Sequence, residues 1–490
     1  MMRANRAILV LLLTSWSSGA SACALGAVYN LPIPFAMYAT GAALALIVSF
    51  VIVAFVLKTA SPRDSAGVPA ARRSPRQLAL PEWVVTALTA TGLLALLLTI
   101  ATGLVGSRNP LANFNMTFFW IVFMLGLTYL TALVGDIYAL ANPWRALCDA
   151  LERWRPAIFR GWLPYPGWLG YFPALGFYVV LIWIELFGQI QPRTLSWLLI
   201  AYAGVNVTAA WLVGKETWFR HGEFFAVFFG LIGRIAPVEY LRDSTPARAY
   251  HVRLRKPFTG LLGAGADHGS LLLFVIFMLS STAFDGAHDT VPWVGMFWRG
   301  LYPLLSVHIG LPYLIWVSVY YLWQSVMLLL MPLCYLAVYL LLLWLAKWAT
   351  HSTLALRTLA LRFAFTLIPI AFVYNVTHYY GEFSTQGVQI LRMISDPFNR
   401  GWDLFGTSQW FTQPIVLDVG TVWHTQVALI LAGHIISVYL AHVEALKVFP
   451  TARHALLSQL PMLLLMVFLT TAGLWILSLP IDAGQLSSPV

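Results

Sequence analysis

Four histidines stand in or beside two apolar runs within residues 371–446: His378, His424, His434 and His442. An imidazole in a bilayer-crossing stretch is costly unless it meets a partner, a metal or water, so each marks a candidate site. Depth decides which of them can act together. On a helix rising about 1.5 Å per residue, His424 and His434 lie roughly 15 Å apart. Metal–imidazole bonds are only about 2 Å long, so these two cannot share an ion. His378 instead ends an outward-running helix and His424 begins the next inward-running one, which sets both at one level. Neighbouring runs bring to that level Glu185 in WIELF, Asp285 and His288 in STAFDGAH, Glu382 in HYYGEF, Asp418 and His308. Such a nitrogen and oxygen donor set suits zinc or a related divalent ion. The candidate metal ligands are His378, His424, Asp285, Glu185 and His434, and the candidate proton-taking groups are Glu382 and Asp285. The plain alternative is that each imidazole is hydrogen-bonded separately between helices.

A second polar layer falls at the opposite ends of the apolar runs. It comprises Asp136, the turn Asn142-Pro143-Trp144, Glu216, His221, Asp267, His268, His442 and Glu444. These positions fit helix caps and interfacial contacts, Asp267 suiting an N-cap.

The elements that must position both layers are membrane helices. With 60% hydrophobic and 10% charged residues, the chain lies outside the range of soluble domains. It reads as an all-α, polytopic helical bundle crossing about ten times, near 36–57, 83–105, 116–138, 171–190, 195–213, 267–284, 320–346, 358–379, 420–442 and 458–479. Two more apolar stretches, 222–238 with Arg234 and Pro237, and 300–317 with Pro303, His308 and Pro312, would break the charge pattern if they crossed, and read as interfacial or re-entrant. Arg3 and Arg6, an apolar run from Ile8 and Ala20-Ser21-Ala22 form a signal peptide over residues 1–22. Residues 23–490 then form one membrane domain with a flexible cytoplasmic linker at 59–81. Of the 29 Lys and Arg residues, 22 fall in loops that lie inside if the mature N-terminus is outside, which places both mature ends outside the cytoplasm of a bacterial inner membrane. The same placement accounts for the net charge of +10 without a nucleic-acid partner. Cys23, Cys148 and Cys334 are too dispersed for a disulfide framework. Cys23 also stands where a lipid could be attached.

No P-loop, GxSxG, HExxH or CxxCH motif occurs. The ordered segments LPIPF (31–35), ANPWRAL (141–147), LGYFPALGFYVVLIWIELF (169–187), WFRHGEFFAVFFGLIGRIAPV (218–238), STAFDG (281–286), SDPFNRGWDLFGT (395–407), AGHIISVYLAHVEAL (432–446) and SQLPMLLLMVFLTTAGLWILS (458–478) resemble the membrane proteins known as fenitrothion hydrolases. The likeness departs from the family pattern at Val443, where Asp is usual, and at His424, where Tyr is expected. It implies a membrane-bound organophosphate hydrolase that splits the aryl ester of a phosphorothioate into a nitrophenol and a dialkyl thiophosphate. Joined to the reading of the residues, it gives metal-assisted hydrolysis of an apolar small molecule arriving through the bilayer. Three other readings fit the residues. His378 and His434 could be axial haem ligands of a redox subunit, the intramembrane groups could form the relay of a transporter, or the chain could require a second membrane subunit.

Overall fold

Apolar runs of about twenty residues leave the backbone one way to satisfy its own hydrogen bonds in lipid, the α-helix. In the computed structural model, ten helices among the described residues are long and apolar enough to cross a membrane. They are α1 Phe35–Phe55, α2 Glu82–Val105, α3 Phe114–Val134, α4 Gly167–Phe187, α5 Pro192–Val213, α6 Gly269–His288, α7 Tyr313–Ala349, α8 Leu356–His378, α9 Val419–Val448 and α10 Ala452–Ser478. The chain is a multi-pass helical membrane protein. The structure describes residues 34–58, 77–242, 250–263, 265–413 and 415–479, so the expected signal peptide, Cys23 and linker residues 59–76 lie outside the described residues.

Burial sorts the helices. Helices α6 and α8 are buried along most of their length, while little of α1, α2 and α7 is buried. Leucine, valine and phenylalanine on the outer faces, such as Val51, Phe55, Leu94, Leu322, Leu341 and Phe468, present the apolar surface that lipid requires. Close packing needs small residues. A methyl group at Gly103 of α2 would lie 2.5 Å from the Pro192 carbonyl of α5 and 2.1 Å from both Asn115 Nδ2 and Ser196 Oγ. Gly103→Ala should therefore destabilise the protein by about 1–3 kcal/mol, seen as a lower melting temperature in detergent; an unchanged melt would show that α2 and α5 can part at no cost.

The stretch expected to be re-entrant carries a buried helix, Phe224–Ile232. Nine residues span about 14 Å, too short to cross, and their Phe side chains pack against α4 and α6 through Tyr178 and Phe274. Residues 300–317 divide instead. Short helical turns between Val291 and Ser306 fold an aromatic cluster of Phe297, Trp298, Trp316 and Tyr320 onto the first turns of α7, which begins earlier than expected at Tyr313 and runs for 37 residues.

The linker expectation needs one correction. Gln77–Ala79 is a strand, β1, joined to β2 (Val238–Arg242) and β3 (Tyr250–Leu254) in an antiparallel sheet of order β1-β3-β2. Leu78 pairs with Val252, which also pairs with Tyr240. Backbone pairing fixes a segment that composition reads as mobile.

Most of the second polar layer is tied off locally. His268, not Asp267, caps α6 by accepting from Ser270 N at 3.2 Å, while Asp267 accepts from Tyr171 Oη at 3.0 Å. Glu216 takes Arg145 and Arg242. Buried Glu444 takes Gly263 N at 2.6 Å, Arg362 Nε at 3.0 Å and Lys447 Nζ at 2.7 Å. These contacts complete caps and ion pairs.

Candidate functional site

The C-terminal ends of α4, α6 and α8 meet at one level and bring together residues from distant parts of the chain. Asp285 on the last turn of α6 places Oδ2 2.8 Å from His378 Nε2 at the end of α8. Tyr379, the next residue, donates to the same Oδ2 at 2.6 Å and also lies 3.0 Å from Glu185 Oε1 on α4. The result is a continuous row, Glu185–Tyr379–Asp285–His378. His288, one turn beyond Asp285, sends Nδ1 to the Asp285 carbonyl at 2.7 Å and stacks on Phe284, which braces the end of the helix.

Two cavities flank the row. One, of about 30 Å³, is lined by Glu185, Asp285, Tyr379, Asn375, Ser281 and Thr282 together with apolar groups of α3 and α4. Its polar wall includes Asn375 Oδ1, a buried acceptor that no other described group satisfies, and its size suits about two water molecules. A wide-turned π-helical stretch of α3, Thr117–Gly126, supplies Met124 and Leu125 to this cavity, and such stretches recur at functional sites. The second cavity, of about 40 Å³, lies on the His378 side among α6, α7, α8, α9 and α10. Tyr335, Tyr374, Ile430, Leu469, Ile476 and Leu477 make it mainly apolar. Because His378 Nε2 is engaged by Asp285, Nδ1 is the ring nitrogen left for this side, where it would stand 3.6 Å from a methyl at Gly286.

Glu382 stands one helical turn after His378, partly buried. Burial raises its carboxyl above the usual range; His378 draws it back and Asp285 pushes it up again. Tyr379 is held well above the usual phenol range, first by burial and then by the two carboxyl groups it touches.

The other two histidines suggested as metal ligands go elsewhere. His424 does share the level of His378, since Gln426 Nε2 donates to the Thr377 carbonyl at 2.8 Å. Two residues rotate a helix by about 200°, so with Gln426 facing α8, His424 faces α1: Nε2 lies 3.4 Å from Tyr38 Oη and Nδ1 is 2.7 Å from the Gly420 carbonyl. His434 is fully buried, with Nδ1 at 2.8 Å from the Ile430 carbonyl and its ring against Tyr374. Asp418 caps α9 through Thr421 N at 2.7 Å, and His308 is exposed.

The donors thus do not gather as a five-residue shell. Among the described residues no three His, Cys, Asp or Glu side chains lie together as metal ligands, and Glu185 reaches Asp285 only through a phenol. A three-ligand zinc site does not fit this arrangement. Of the histidine pair suggested for haem, His434 lies eight residues, about 12 Å of helix, beyond Gln426, which marks the level of Thr377 and His378, and its ring packs on Tyr374.

Two participants were missed from sequence. Tyr379 follows His378 directly, and its place in HYYGEF was the available signal. Glu223 had none beyond lying in an apolar stretch: it is buried and accepts from Tyr202 Oη at 2.7 Å, Ala226 N at 2.7 Å, Phe225 N at 3.1 Å and Asn142 Nδ2 at 3.2 Å, with Tyr138 Oη at 3.4 Å.

Comparison with known protein families, curated proteins and solved structures yields no match. Fold and site by themselves define the class: a multi-pass helical membrane protein with a partly buried row of titratable side chains between two cavities.

Proposed function

We propose that the chain is a membrane-bound hydrolase of neutral organophosphate triesters, acting at the extracytoplasmic side of a bacterial inner membrane. The observation that carries the reading is the His378–Asp285 contact of 2.8 Å on the wall of an apolar cavity. It is the arrangement in which a carboxylate orients an imidazole and stabilises its charged form as it takes a proton. The order of sequence segments supports the substrate class.

In this reading His378 Nδ1 takes a proton from water in the second cavity. The water oxygen forms a bond to phosphorus while the bond from phosphorus to the aryl oxygen breaks. The aryl oxygen leaves with the electron pair as nitrophenolate, a stable anion that needs little acid assistance. A cavity of about 40 Å³ admits a small alkoxy group of the ester, and the ring remains toward the bilayer from which it arrives. No step is routed through a metal.

Purified protein in lipid nanodiscs should release nitrophenol from a dimethyl nitrophenyl phosphorothioate at a rate indifferent to chelators. Activity lost on chelation and restored by zinc or cobalt would replace the imidazole base with a metal-bound water. No release under either condition would remove the hydrolase reading. A second reading follows from the row joining two cavities, which is also how a proton-coupled transporter couples its sites. Uptake of an intact apolar solute by proteoliposomes, driven by a pH gradient, would favour it.

A further inference from the structure

The hydrogens in the row can be counted. A phenol carries one hydrogen and two lone pairs, and an ionised carboxylate only accepts. Tyr379 Oη nevertheless stands within hydrogen-bonding distance of two carboxyl groups, 2.6 Å from Asp285 and 3.0 Å from Glu185. Its single hydrogen can serve only one of them. If both carboxyl groups were ionised, the other contact would set lone pair against lone pair between two like charges largely withdrawn from water, which is disfavoured. One carboxyl group must bring its own hydrogen.

Geometry also says which one. The contact to Asp285 has the length of a charge-assisted O–H to carboxylate bond, about 2.5–2.7 Å, whereas that to Glu185 has the length of a neutral one. Asp285 Oδ2 moreover faces His378 Nε2 at 2.8 Å, a second donor that favours the anion. The other helices packed on α4 change nothing in this count. Helix α6 brings Asp285 and His288, the latter turned to a backbone carbonyl, Phe224–Ile232 carries no ionisable group, and α7 meets α4 through Trp183 and Ser325. Beyond α8, Glu382 adds a further acidic group near Asp285 and Glu185.

We propose that Glu185 holds a proton in the resting protein, and that Glu185–Tyr379–Asp285–His378 is a relay that releases this proton into the first cavity when His378 takes one from the second. The hydrogens balance. A proton binds at His378 Nδ1, and Glu185 loses its own to water in the first cavity, leaving a carboxylate. The imidazolium first formed beside the Asp285 carboxylate then passes its Nε2 hydrogen to Asp285, which donates to Tyr379 Oη as the Tyr379 hydrogen turns to Glu185. One proton has entered, one has left, and the charge of the row is unchanged. This count needs no substrate, so it stands apart from the hydrolase reading.

Infrared difference spectroscopy of the full chain in lipid at pH 7 tests it. Wild type minus Glu185→Gln should show one protonated-carboxyl carbonyl band that shifts in D2O; the amide of Gln donates to Tyr379 as the acid did, so the fold is retained. Bands of other carboxyl groups, including Glu223 and Asp136, cancel in the difference. Tyr379→Phe, which removes the acceptor of the Glu185 hydrogen, should move the same band to a less hydrogen-bonded frequency. A difference spectrum with no such band, or a band lost in Asp285→Asn and kept in Glu185→Gln, would overturn the assignment. Should Glu185→Gln fail to fold, an unshifted band in Tyr379→Phe would overturn it equally.

Discussion

Asp285→Asn should lower kcat for nitrophenol release about 10²–10⁴-fold while leaving KM near its wild-type value. Asparagine is nearly the same shape, so the cavities persist and ground-state binding is kept. What disappears is the negative charge 2.8 Å from His378 Nε2, which holds the ring in the tautomer with Nδ1 free and compensates the charge that develops when Nδ1 is protonated. A loss confined to kcat is the signature of an interaction made in the transition state. His378→Gln should fall at least as far, and the double variant no further, because the two act as one unit. If Asp285→Asn turned over at the wild-type rate, the pair would be a structural tie and the chemistry would lie elsewhere.

The second large effect is on stability. Glu223 stands at the N-terminus of the short helix Phe224–Ile232, surrounded by donors from Tyr202, Asn142, Tyr138 and two backbone N–H groups. Glu223→Ala orphans several of these in a buried place, each orphan costing about 1–3 kcal/mol, so a total near 3–5 kcal/mol and a marked fall in apparent melting temperature are expected. Glu223→Gln keeps one acceptor and should fall between. The same residue gives wild type a pH dependence. Burial pushes the carboxyl up to about 7, against the pull of its donors. Its folded value is above its ordinary value of 4.5, so its contribution is fully present below about pH 4.5 and is lost as pH rises through about 7. Wild type should therefore lose stability relative to Glu223→Gln across that window. Parallel melting curves for the two from pH 4.5 to 8 would contradict a buried, titrating Glu223. Asp136, raised by burial to about 6, adds to the slope in both proteins and cancels in the comparison.

The ten crossings could be read from sequence because length and apolarity alone dictate them. Their directions set the ends of α4, α6 and α8 at one level, and so foretold that Glu185, Asp285 and His378 would come close. Rotation could not be read. Whether a residue near a helix end faces one neighbour or another depends on packing, and that is why His424 turns to Tyr38 and not to His378. Tyr379 lay hidden for a related reason: a tyrosine at a membrane surface is expected there as an anchor, and only the approach of two carboxyl groups gives it another role. Strand β1 went unforeseen because Gln77, Leu78 and Ala79 carry no strand pattern, and their partner β3 lies far along the chain.

The length of α7 fixes how deep the row of protons is immersed. Gln324 accepts from Trp293 Nε1 at 2.9 Å and donates to the His288 carbonyl at 3.3 Å, which levels this point of α7 with the end of α6. From Gln324 to Ala349 the helix rises about 38 Å, already more than a hydrocarbon core of about 30 Å. With α7 upright and Ala349 at one edge of the hydrocarbon, the turns from Tyr313 to Gln324, roughly 16 Å more, lie beyond the other edge with their aromatic sleeve. The row of Glu185, Tyr379, Asp285 and His378 then lies close to that edge, within reach of both water and a solute dissolved among acyl chains.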